Sequence, residues 1–334
     1  MFPKHKILSG PTPLERADVL SKHLEIDLHI KRDDLAGPSF GGNKARQLEY
    51  YFGEALSQNA DTILITGAVQ SNFTRIAVAV ARSLGMEAVV QFEERVKNGS
   101  TCYKNSGNVL LSRLMGAEIE FFPKGKDEAG ADVALDRKAT QLRSSGKRPY
   151  IIHLSEAYPP LGALGYVDAA TELLDQNKEF DVFVVASGSG ATHAGLLAGL
   201  RGSGSKAVVI GCCVRRAAAL QGPRINRVLE RLANLYSPAN NVIRQDIRVW
   251  DGALAPGYGR IGPKSLDAIK LVASQEGLFL DPVYTAKSFA AVTSLVETGD
   301  IPKGAKVCFV HTGGLAALYA YQDQLAHMFG FQGL

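Results

Sequence analysis

The sequence predicts an α/β protein with parallel sheets covered by helices on both faces. Short runs such as DTILITG, VFVVASG and KVCFVHTG are almost continuously apolar, which is typical of strands buried on both sides in parallel sheets. Between such runs, segments such as SNFTRIAVAVARSLG space their apolar residues as a helix does. This alternation extends over most of the 334 residues and favours the α/β class.

The predicted elements fall into two groups along the chain. The first group contains four strand candidates, DTILITG, EAVVQF, EIEFFP and PYIIHL, separated by helical segments. The second contains VFVVASG, KAVVIGCCV and KVCFVHTG, with helices between and after them. Tyr158-Pro159-Pro160 interrupts the alternation between the groups, and the chain length suits two domains. We therefore expect the first four strand–helix units to form a lobe of their own.

The composition is that of a globular protein without a polyanionic partner. The 37 basic and 33 acidic residues leave a net charge of +4 and are interspersed, so no nucleic-acid partner is predicted. No apolar run has the length of a signal peptide or a membrane span. Histidines and cysteines lack metal-ligand and disulfide spacings, which predicts no metal site and buried thiols in a cytoplasmic protein. The cysteines are Cys102, Cys212, Cys213 and Cys308.

A glycine-rich turn follows the strand VFVVASG. Gly188 to Thr192 lead directly into a helix of small residues, and the N–H groups of such a turn bind phosphate. A dinucleotide turn is the alternative, with Arg215 or Arg216 meeting a 2′-phosphate, which would make the protein an NADP-dependent reductase. His193 occupies the place of the third glycine of that motif. The turn therefore predicts a phosphate site and leaves its ligand open.

The stretch SFGGNKARQLEYYFGEAL places a lysine directly after two glycines, where a helix begins. Lys44 shares the apolar side of this helix with Leu48, Tyr51 and Phe52. An unpaired ammonium is costly to bury, and desolvation lowers its pKa, so that the neutral amine forms a Schiff base with an aldehyde. An inward lysine, a phosphate loop and a ring pocket together predict pyridoxal 5′-phosphate as the cofactor.

Seven motifs in order along the chain strengthen that prediction: GGNKARQLE, GAVQSNFTR, YKNSGNVLL, GALGYV, ASGSGATHAG, LDPVYTAKS and HTGGLAALYAY. Together they resemble the D-cysteine desulfhydrase and 1-aminocyclopropane-1-carboxylate deaminase family. The resemblance implies the two-domain tryptophan synthase β-like fold, which is pyridoxal-phosphate fold type II. A large domain would comprise residues 1–46 and 159–334, and a small domain residues 47–158, with the cofactor in the cleft between them. A homodimer acting on a small amino acid is also implied.

The resemblance assigns roles toward the cofactor. Lys44 would bind it covalently, and Asn72 would form a hydrogen bond with the 3′ oxygen of its ring. Thr312 would face the ring nitrogen, with Thr285 close by. The residues implied to bind the phosphate are Gly188, Ser189, Gly190, Ala191 and Thr192.

The resemblance also assigns roles toward the substrate. The backbone after Gln70 would take the substrate carboxylate together with Ser71, which would also join proton transfer. Tyr258 and Tyr284 match the pair of active-site tyrosines. The residues implied to border the substrate are Gln70, Ser71, Asn72 and Phe73.

Two features bear on which reaction the chain catalyses. Thr285 and Thr312 stand where the deaminases resembled have Glu and Leu, and a neutral hydroxyl suits a reaction whose electrons leave with a β substituent. Phe73 and the segment 154–161 depart from the family pattern at positions that would border the substrate, although Phe73 also fits a core position. The sequence predicts a lyase that performs α,β-elimination, giving pyruvate and ammonia.

Three alternatives stay open beside the NADP-dependent reductase. One is 1-aminocyclopropane-1-carboxylate deaminase, which opens the ring to give 2-oxobutyrate. Another is a lyase acting on L-cysteate or a different β-substituted alanine. The last is a protein that binds pyridoxal phosphate with little turnover.

Overall fold

The computed structural model describes residues 2–97, 99–177 and 179–330. Within them lie ten strands: β1 (Leu14–Arg16), β2 (Asp27–Lys31), β3 (Thr62–Ala68), β4 (Glu87–Glu93), β5 (Glu118–Phe122), β6 (Pro149–Ile152), β7 (Val182–Ser187), β8 (Val208–Cys213), β9 (Arg248–Trp250) and β10 (Lys306–Val310).

The same residues form thirteen α-helices: α1 (Asp18–Leu24), α2 (Lys44–Ser57), α3 (Asn72–Ser83), α4 (Thr101–Asn105), α5 (Gly107–Leu114), α6 (Glu128–Ser144), α7 (Leu164–Gln176), α8 (Ala191–Gly202), α9 (Ala218–Leu232), α10 (Pro263–Glu276), α11 (Thr285–Glu297), α12 (Leu315–Ala320) and α13 (Gln322–Phe329).

The strands form two sheets. The larger sheet has the order β1-β2-β10-β7-β8-β9 and is parallel except for the antiparallel pair β1 and β2. The smaller sheet, β5-β4-β3-β6, is parallel throughout. The predicted α/β class is confirmed. Strands β1, β2 and β9 were not predicted, because β1 and β9 are only three residues long and β2 alternates polar with apolar residues.

The two sheets draw on different parts of the chain. All four strands of the smaller sheet lie between residues 62 and 152, and the six strands of the larger sheet lie outside that range. Helix α2 packs both against α3, which follows β3 of the smaller sheet, and against α7, which precedes β7 of the larger sheet. The division of the chain into domains at residues 46 and 158 stays a prediction.

Three turns at the carboxyl ends of strands supply the cleft between the sheets. Strand β3 leads to Ser71 at the start of α3, β7 leads to the turn before α8, and β10 leads to Thr312. Every residue of β3 and β7 is buried, which explains their continuous apolar sequences. In parallel sheets the carboxyl ends of strands are where ligands bind, and these turns carry predicted site residues.

A buried ionic network anchors helix α2 to the larger sheet. The guanidinium of Arg46 donates to Asp33 at 2.9 and 3.0 Å and to Glu172 at 2.8 Å. Lys31 pairs with the same Glu172, and the hydroxyl of Tyr166 donates to Asp33 at 2.5 Å. Arg46 and Asp33 are 3% and 0% exposed. The network fixes the first turn of α2, where Lys44 lies.

Other predicted features can be compared with the structure. Among the helices of the described segments, none is both long and apolar enough to cross a membrane. Residues 2–97, 99–177 and 179–330 also contain no cluster of three side chains suited to a metal ion. All four cysteines are unpaired, and three are buried. Cys102 is partly exposed, which corrects the prediction that all four are buried.

Candidate active site

One cleft brings most of the predicted site residues together. The space within it, counted together with the solvent at its mouth, is about 810 Å³. Asn43 and Arg95 also line it, and neither was predicted. The predicted residues in its lining are Lys44, Ser71, Asn72, Phe73, Gly188, Ser189, Gly190, Thr192, Tyr258, Tyr284 and Thr312.

Lys44 is the first residue of α2, and its amine faces an amide and an aromatic ring. Its Nζ donates to Gln47 Oε1 at 3.2 Å and lies 5.3 Å from the centroid of the Phe73 ring. Within the described residues it pairs with no carboxylate, and burial lowers its pKa to about 8. The preceding Gly41 has φ +60°, and a Cβ there would lie 2.1 Å from the carbonyl oxygen of Asp34. Only glycine therefore allows the turn that presents Lys44.

The turn before α8 has the features of a phosphate site. Gly190 caps the helix with φ +108°, and the first N–H groups of a helix lack intrahelical partners. The hydroxyl oxygen of Thr192 accepts hydrogen bonds from Asn43 Nδ2 at 2.9 Å and from Gln47 Nε2 at 2.7 Å. Because both lone pairs are then used, the hydroxyl proton is left to donate to a ligand.

Two arginines orient the backbone of this turn. Arg216 donates to the carbonyl of Gly188 at 3.2 Å, and Arg224 donates to the carbonyl of Ser189 at 2.8 Å. In a planar trans peptide the N–H points opposite to the C=O. The N–H groups of Ser189 and Gly190 therefore point away from the arginines, toward the cleft that this turn lines.

Asn72 presents its amide nitrogen to the cleft. Its Oδ1 accepts hydrogen bonds from Arg75 at 2.9 Å and from Asn108 Nδ2 at 3.2 Å. Arg75 is fully buried and also donates to the carbonyl of Gly41 at 2.6 Å. With the carbonyl side of Asn72 occupied, its Nδ2 is the donor available to a ring oxygen.

The start of α3 offers donors for a carboxylate. Ser71 caps this helix by accepting from Thr74 N at 3.4 Å, which leaves its own hydroxyl proton to donate elsewhere. A Cβ on Gly67 would lie 2.7 Å from Ser71 Oγ, so a glycine is needed for this close approach. Unpaired N–H groups and the helix dipole favour an anion here.

Two tyrosines, Tyr258 and Tyr284, form a further side of the cleft, called here the tyrosine side. The hydroxyl oxygens of Tyr258 and Tyr284 lie 2.5 Å apart. Burial and the neighbouring Tyr258 raise the pKa of Tyr284 well above its usual value. The loop that carries Tyr258 is held by Lys287, whose Nζ donates to the carbonyls of Leu254 and Gly257 at 2.9 and 2.7 Å.

Three predicted residues lie outside the lining of the cleft. The side chain of Gln70 turns toward the segment before α5, where it donates to the carbonyls of Tyr103 and Ser106 and accepts from Asn108 N. Ala191 is part of the phosphate turn, at the first position of α8, but does not line the cleft.

Thr285 is the third of these residues, and its hydroxyl donates to Asp281 Oδ1 at 2.8 Å. Asp281 also accepts from the N–H groups of Val283, Tyr284 and Thr285. This buried carboxylate, which was not predicted, positions Tyr284 at the start of α11. The sequence signal that could have indicated it is the Asp-Pro pair just ahead of the helix.

Comparison with known proteins identifies the family. Residues 6–313 match the family described as "Pyridoxal-phosphate dependent enzyme". The chain belongs to this family, so pyridoxal phosphate is its cofactor.

Individual members of the family show which enzymes the chain is similar to. The chain is 39% identical to the D-cysteine desulfhydrase of Klebsiella pneumoniae (strain 342) over 327 residues, which cover 97% of this chain and 98% of that protein. It is 38% identical to that of Salmonella paratyphi C (strain RKS4594), with the same coverage. A solved structure of an ACC deaminase homologue superposes with a TM-score of 0.86 at 32% identity, covering 98% of this chain and 96% of that one.

A more distant structure supports the fold alone. Threonine deaminase isoform 2 from Solanum lycopersicum has a TM-score of 0.66 at 16% identity, covering 97% of this chain and 85% of that one. The predicted fold type II is confirmed.

The NADP alternative does not agree with these findings. The family uses pyridoxal phosphate, and Arg215 and Arg216 both pair with Glu128. The residues of the cleft fit pyridoxal phosphate instead. Lys44 has an amine with a lowered pKa, the phosphate turn offers hydrogen-bond donors, and Asn72 offers its amide nitrogen.

Proposed function

We propose that the chain is a lyase that removes the β substituent of a small amino acid by α,β-elimination, releasing pyruvate and ammonia. The observation that carries the proposal is the amine of Lys44. It lies in the same cleft as the phosphate turn, and in the part of the chain that the structure describes no carboxylate pairs with it. The full-length similarity to D-cysteine desulfhydrases supports the same conclusion.

Each side of the cleft has a task in binding. When bound, pyridoxal phosphate supplies an electron sink for the pair that remains once the Cα proton leaves. The turn Gly188–Thr192 would hold the phosphate, Asn72 would hold the ring oxygen, and Thr312 would lie at the ring nitrogen. Ser71 and the N–H groups that follow it would hold the substrate carboxylate. These contacts fix the substrate so that one bond at Cα faces the proton acceptor.

Proton transfer is assigned to Lys44 and the tyrosine pair. The Lys44 amine, with a pKa lowered to about 8 by burial, accepts the Cα proton at neutral pH more readily than an exposed lysine. Tyr258 and Tyr284 share one short hydrogen bond, so a proton given by one hydroxyl is replaced by the other. We assign this pair to protonation of the leaving group.

Ring opening of 1-aminocyclopropane-1-carboxylate is the second candidate. The observation in its favour is the similarity to the solved ACC deaminase homologue. Against it, the two positions expected near the ring nitrogen hold threonines, which have no carboxylate. Thr312 lines the cleft, and the hydroxyl of Thr285 donates to Asp281.

A substrate panel tests the proposal. Purified holoenzyme is given D- and L-cysteine, β-chloroalanine, cysteate, D-serine and 1-aminocyclopropane-1-carboxylate, and the oxo acid released is identified. We expect pyruvate from at least one β-substituted alanine. Faster release of 2-oxobutyrate from the cyclopropane substrate would favour ring opening, and no oxo acid from any substrate would leave a binding protein.

We further propose a homodimer and a cytoplasmic location for this enzyme. The homodimer is what the family resemblance implies, and the location follows from unpaired cysteines. Light scattering of the purified protein measures its mass and tests the first proposal. Fractionation of cells that express the full chain tests the second.

A further inference from the structure

Two arginines in the lining of the cleft have no part in the reaction described above. Arg95 and Arg215 lie there with side chains 10% and 13% exposed. The guanidinium of Arg95 lies 5.9 Å from the centroid of the Tyr258 ring. Burial and the charge of Arg95 lower the pKa of Arg215, so the two guanidiniums are near enough to repel each other.

The acidic residues around these arginines do not balance them. Glu93 pairs with Arg95 at 2.9 Å, and Glu156 is shared between Arg224 at 3.5 Å and the exposed Arg227 at 3.1 Å. One carboxylate, that of Glu128, serves three guanidiniums, those of Arg215, Arg216 and Arg224. The cluster therefore contains five guanidiniums against three carboxylates.

The cofactor phosphate would account for only two of these five arginines. Arg216 and Arg224 bind the backbone of the phosphate turn, and so lie behind it. The contacts of Arg95 are with Glu93 and the ring of Tyr258. Arg215 donates to Glu128 and to the carbonyl of Gly125 at 3.3 Å. Arg95 contacts the ring of Tyr258, and Arg215 lines the same cleft within electrostatic range of both Arg95 and Tyr258, so both arginines belong to the tyrosine side of the cleft.

We propose that Arg95 and Arg215 bind an oxyanion carried on Cβ of the substrate, namely a sulfonate or a phosphate ester. This inference rests on the proposed elimination reaction and names its substrate class. Guanidinium groups bind such oxyanions through paired N–H donors. With the α-carboxylate at the start of α3, the tyrosine side is the part of the cleft left for the β substituent.

The proposed step balances without a further reactant except water. The Cα proton passes to the amine of Lys44, and a double bond forms between Cα and Cβ. With a sulfonate, the Cβ–S bond breaks and its electron pair leaves on sulfur as sulfite. With a phosphate ester, the Cβ–O bond breaks and the pair leaves on oxygen as phosphate. The remaining 2-aminoacrylate takes up water and gives pyruvate and ammonia.

The kinetic experiment compares charged with uncharged leaving groups in holoenzyme. The substrates are both enantiomers of cysteate and of O-phosphoserine, with β-chloroalanine as the uncharged reference. In Arg215→Gln we expect kcat/KM to fall roughly 10- to 100-fold for the preferred oxyanion substrate and less than about 3-fold for β-chloroalanine. Arg227→Gln removes the same charge from an exposed position outside the cleft and serves as the control.

Arg95 needs a paired substitution. Replacing Arg95 alone would leave the buried Glu93 without its partner, which is strongly destabilising. The double variant Glu93→Gln with Arg95→Gln removes both charges and is expected to show the same selective loss. Folding of each variant is checked by its thermal unfolding.

A binding measurement gives a readout that does not depend on turnover. Holoenzyme is titrated calorimetrically with 3-sulfopropanoate and with propanoate. Both ligands have the same carbon chain and carboxylate, and only the first carries a sulfonate. We expect tighter binding of 3-sulfopropanoate, and loss of that difference in Arg215→Gln but not in Arg227→Gln.

The outcomes separate this inference from the proposed function. Rapid elimination from β-chloroalanine or D-cysteine, with none from cysteate or O-phosphoserine, would overturn the oxyanion site and leave the lyase intact. Equal losses for charged and uncharged substrates in Arg215→Gln would make Arg215 a structural residue and also overturn the inference. Absence of elimination from every substrate would instead remove the proposed function.

Discussion

Lys44 and Arg46 are two cations on the first turn of one helix, the first half-buried and the second buried, and the charges around them differ. Lys44 has an amide oxygen and an aromatic ring for neighbours, whereas Arg46 contacts the carboxylates of Asp33 and Glu172. Burial lowers the pKa of Lys44 to about 8. Burial acts on Arg46 in the same direction, but Asp33 and Glu172 outweigh it and raise its pKa above the usual value.

The difference shows that burial alone does not decide what a cation does. A desolvated amine without a counter-charge has a neutral form available near pH 7, which nucleophilic chemistry requires. A guanidinium surrounded by carboxylates stays charged and links distant parts of the chain. The same helical turn thus carries the reactive cation and the one that fixes its position.

The largest effect should follow from removing the reactive cation. Lys44→Ala is expected to lower kcat/KM by roughly 10³-fold or more, because proton transfer and cofactor attachment are both lost. A cofactor bound to lysine as a Schiff base absorbs visible light, and borohydride reduction abolishes that band; the band should be absent from Lys44→Ala. Lys264→Ala, at an exposed lysine of α10, is the control. Unchanged turnover in Lys44→Ala would exclude this residue from the mechanism.

The same substitution at the two positions should affect stability unequally. Arg46→Met leaves Asp33 buried without its ion pair, so the free energy of unfolding should fall by about 3–5 kcal/mol. Lys44→Met removes an uncompensated ammonium and should not lower it. Urea unfolding of both cofactor-free variants measures the difference. Equal destabilisation would mean that the two cations are held in the same way.

A carboxylate placed beside Lys44 should make it resemble Arg46. Gln47→Glu puts an acid at the position that now accepts from Nζ, and an adjacent carboxylate raises the pKa of an ammonium by about 1–3 units. Cofactor capture by the apo-protein needs the neutral amine, so its rate rises with pH through the pKa. The midpoint, near pH 8 in the native chain, should move upward.

Stopped-flow absorbance at a series of pH values measures that midpoint. Gln47→Met is the matched control, because it loses the same hydrogen bond to Thr192 without adding a charge. A midpoint that stays in place in Gln47→Glu, or that moves equally in Gln47→Met, would show that charge does not set the reactivity of Lys44.

Lys44 and Arg46 also differ in how far the sequence predicts their surroundings. Lys44, the phosphate turn and the cap at Ser71 are local patterns, because glycines, a helix start and apolar spacing lie within a few residues of each other. The α/β class followed likewise from strands with continuous apolar residues. Each of these features is encoded in neighbouring residues.

The remaining features depend on residues that are far apart in the chain. The network around Arg46 joins Asp33 to Glu172, and nothing near either residue indicates the other. Arg95 and Arg215 both line the cleft, and each follows a strand of a different sheet, β4 and β8. The sequence placed Gln70 at the site, but its side chain instead bridges to the segment before α5. Such side-chain directions follow from tertiary packing.

The smallest expected effect concerns the aromatic ring beside Lys44. Phe73 is buried and also lines the cleft, so it is both a core residue and a neighbour of the amine. A cation facing an aromatic ring gains about 0.5–1 kcal/mol, which stabilises the charged amine and opposes the effect of burial. In Phe73→Leu the pKa of Lys44 should therefore fall, by less than about one unit.

The pH midpoint of cofactor capture should move down accordingly, whereas Phe73→Tyr, which keeps the ring, should leave it in place. An upward shift in Phe73→Leu would mean that the leucine admits water to the amine, and that exclusion of water is what this ring contributes.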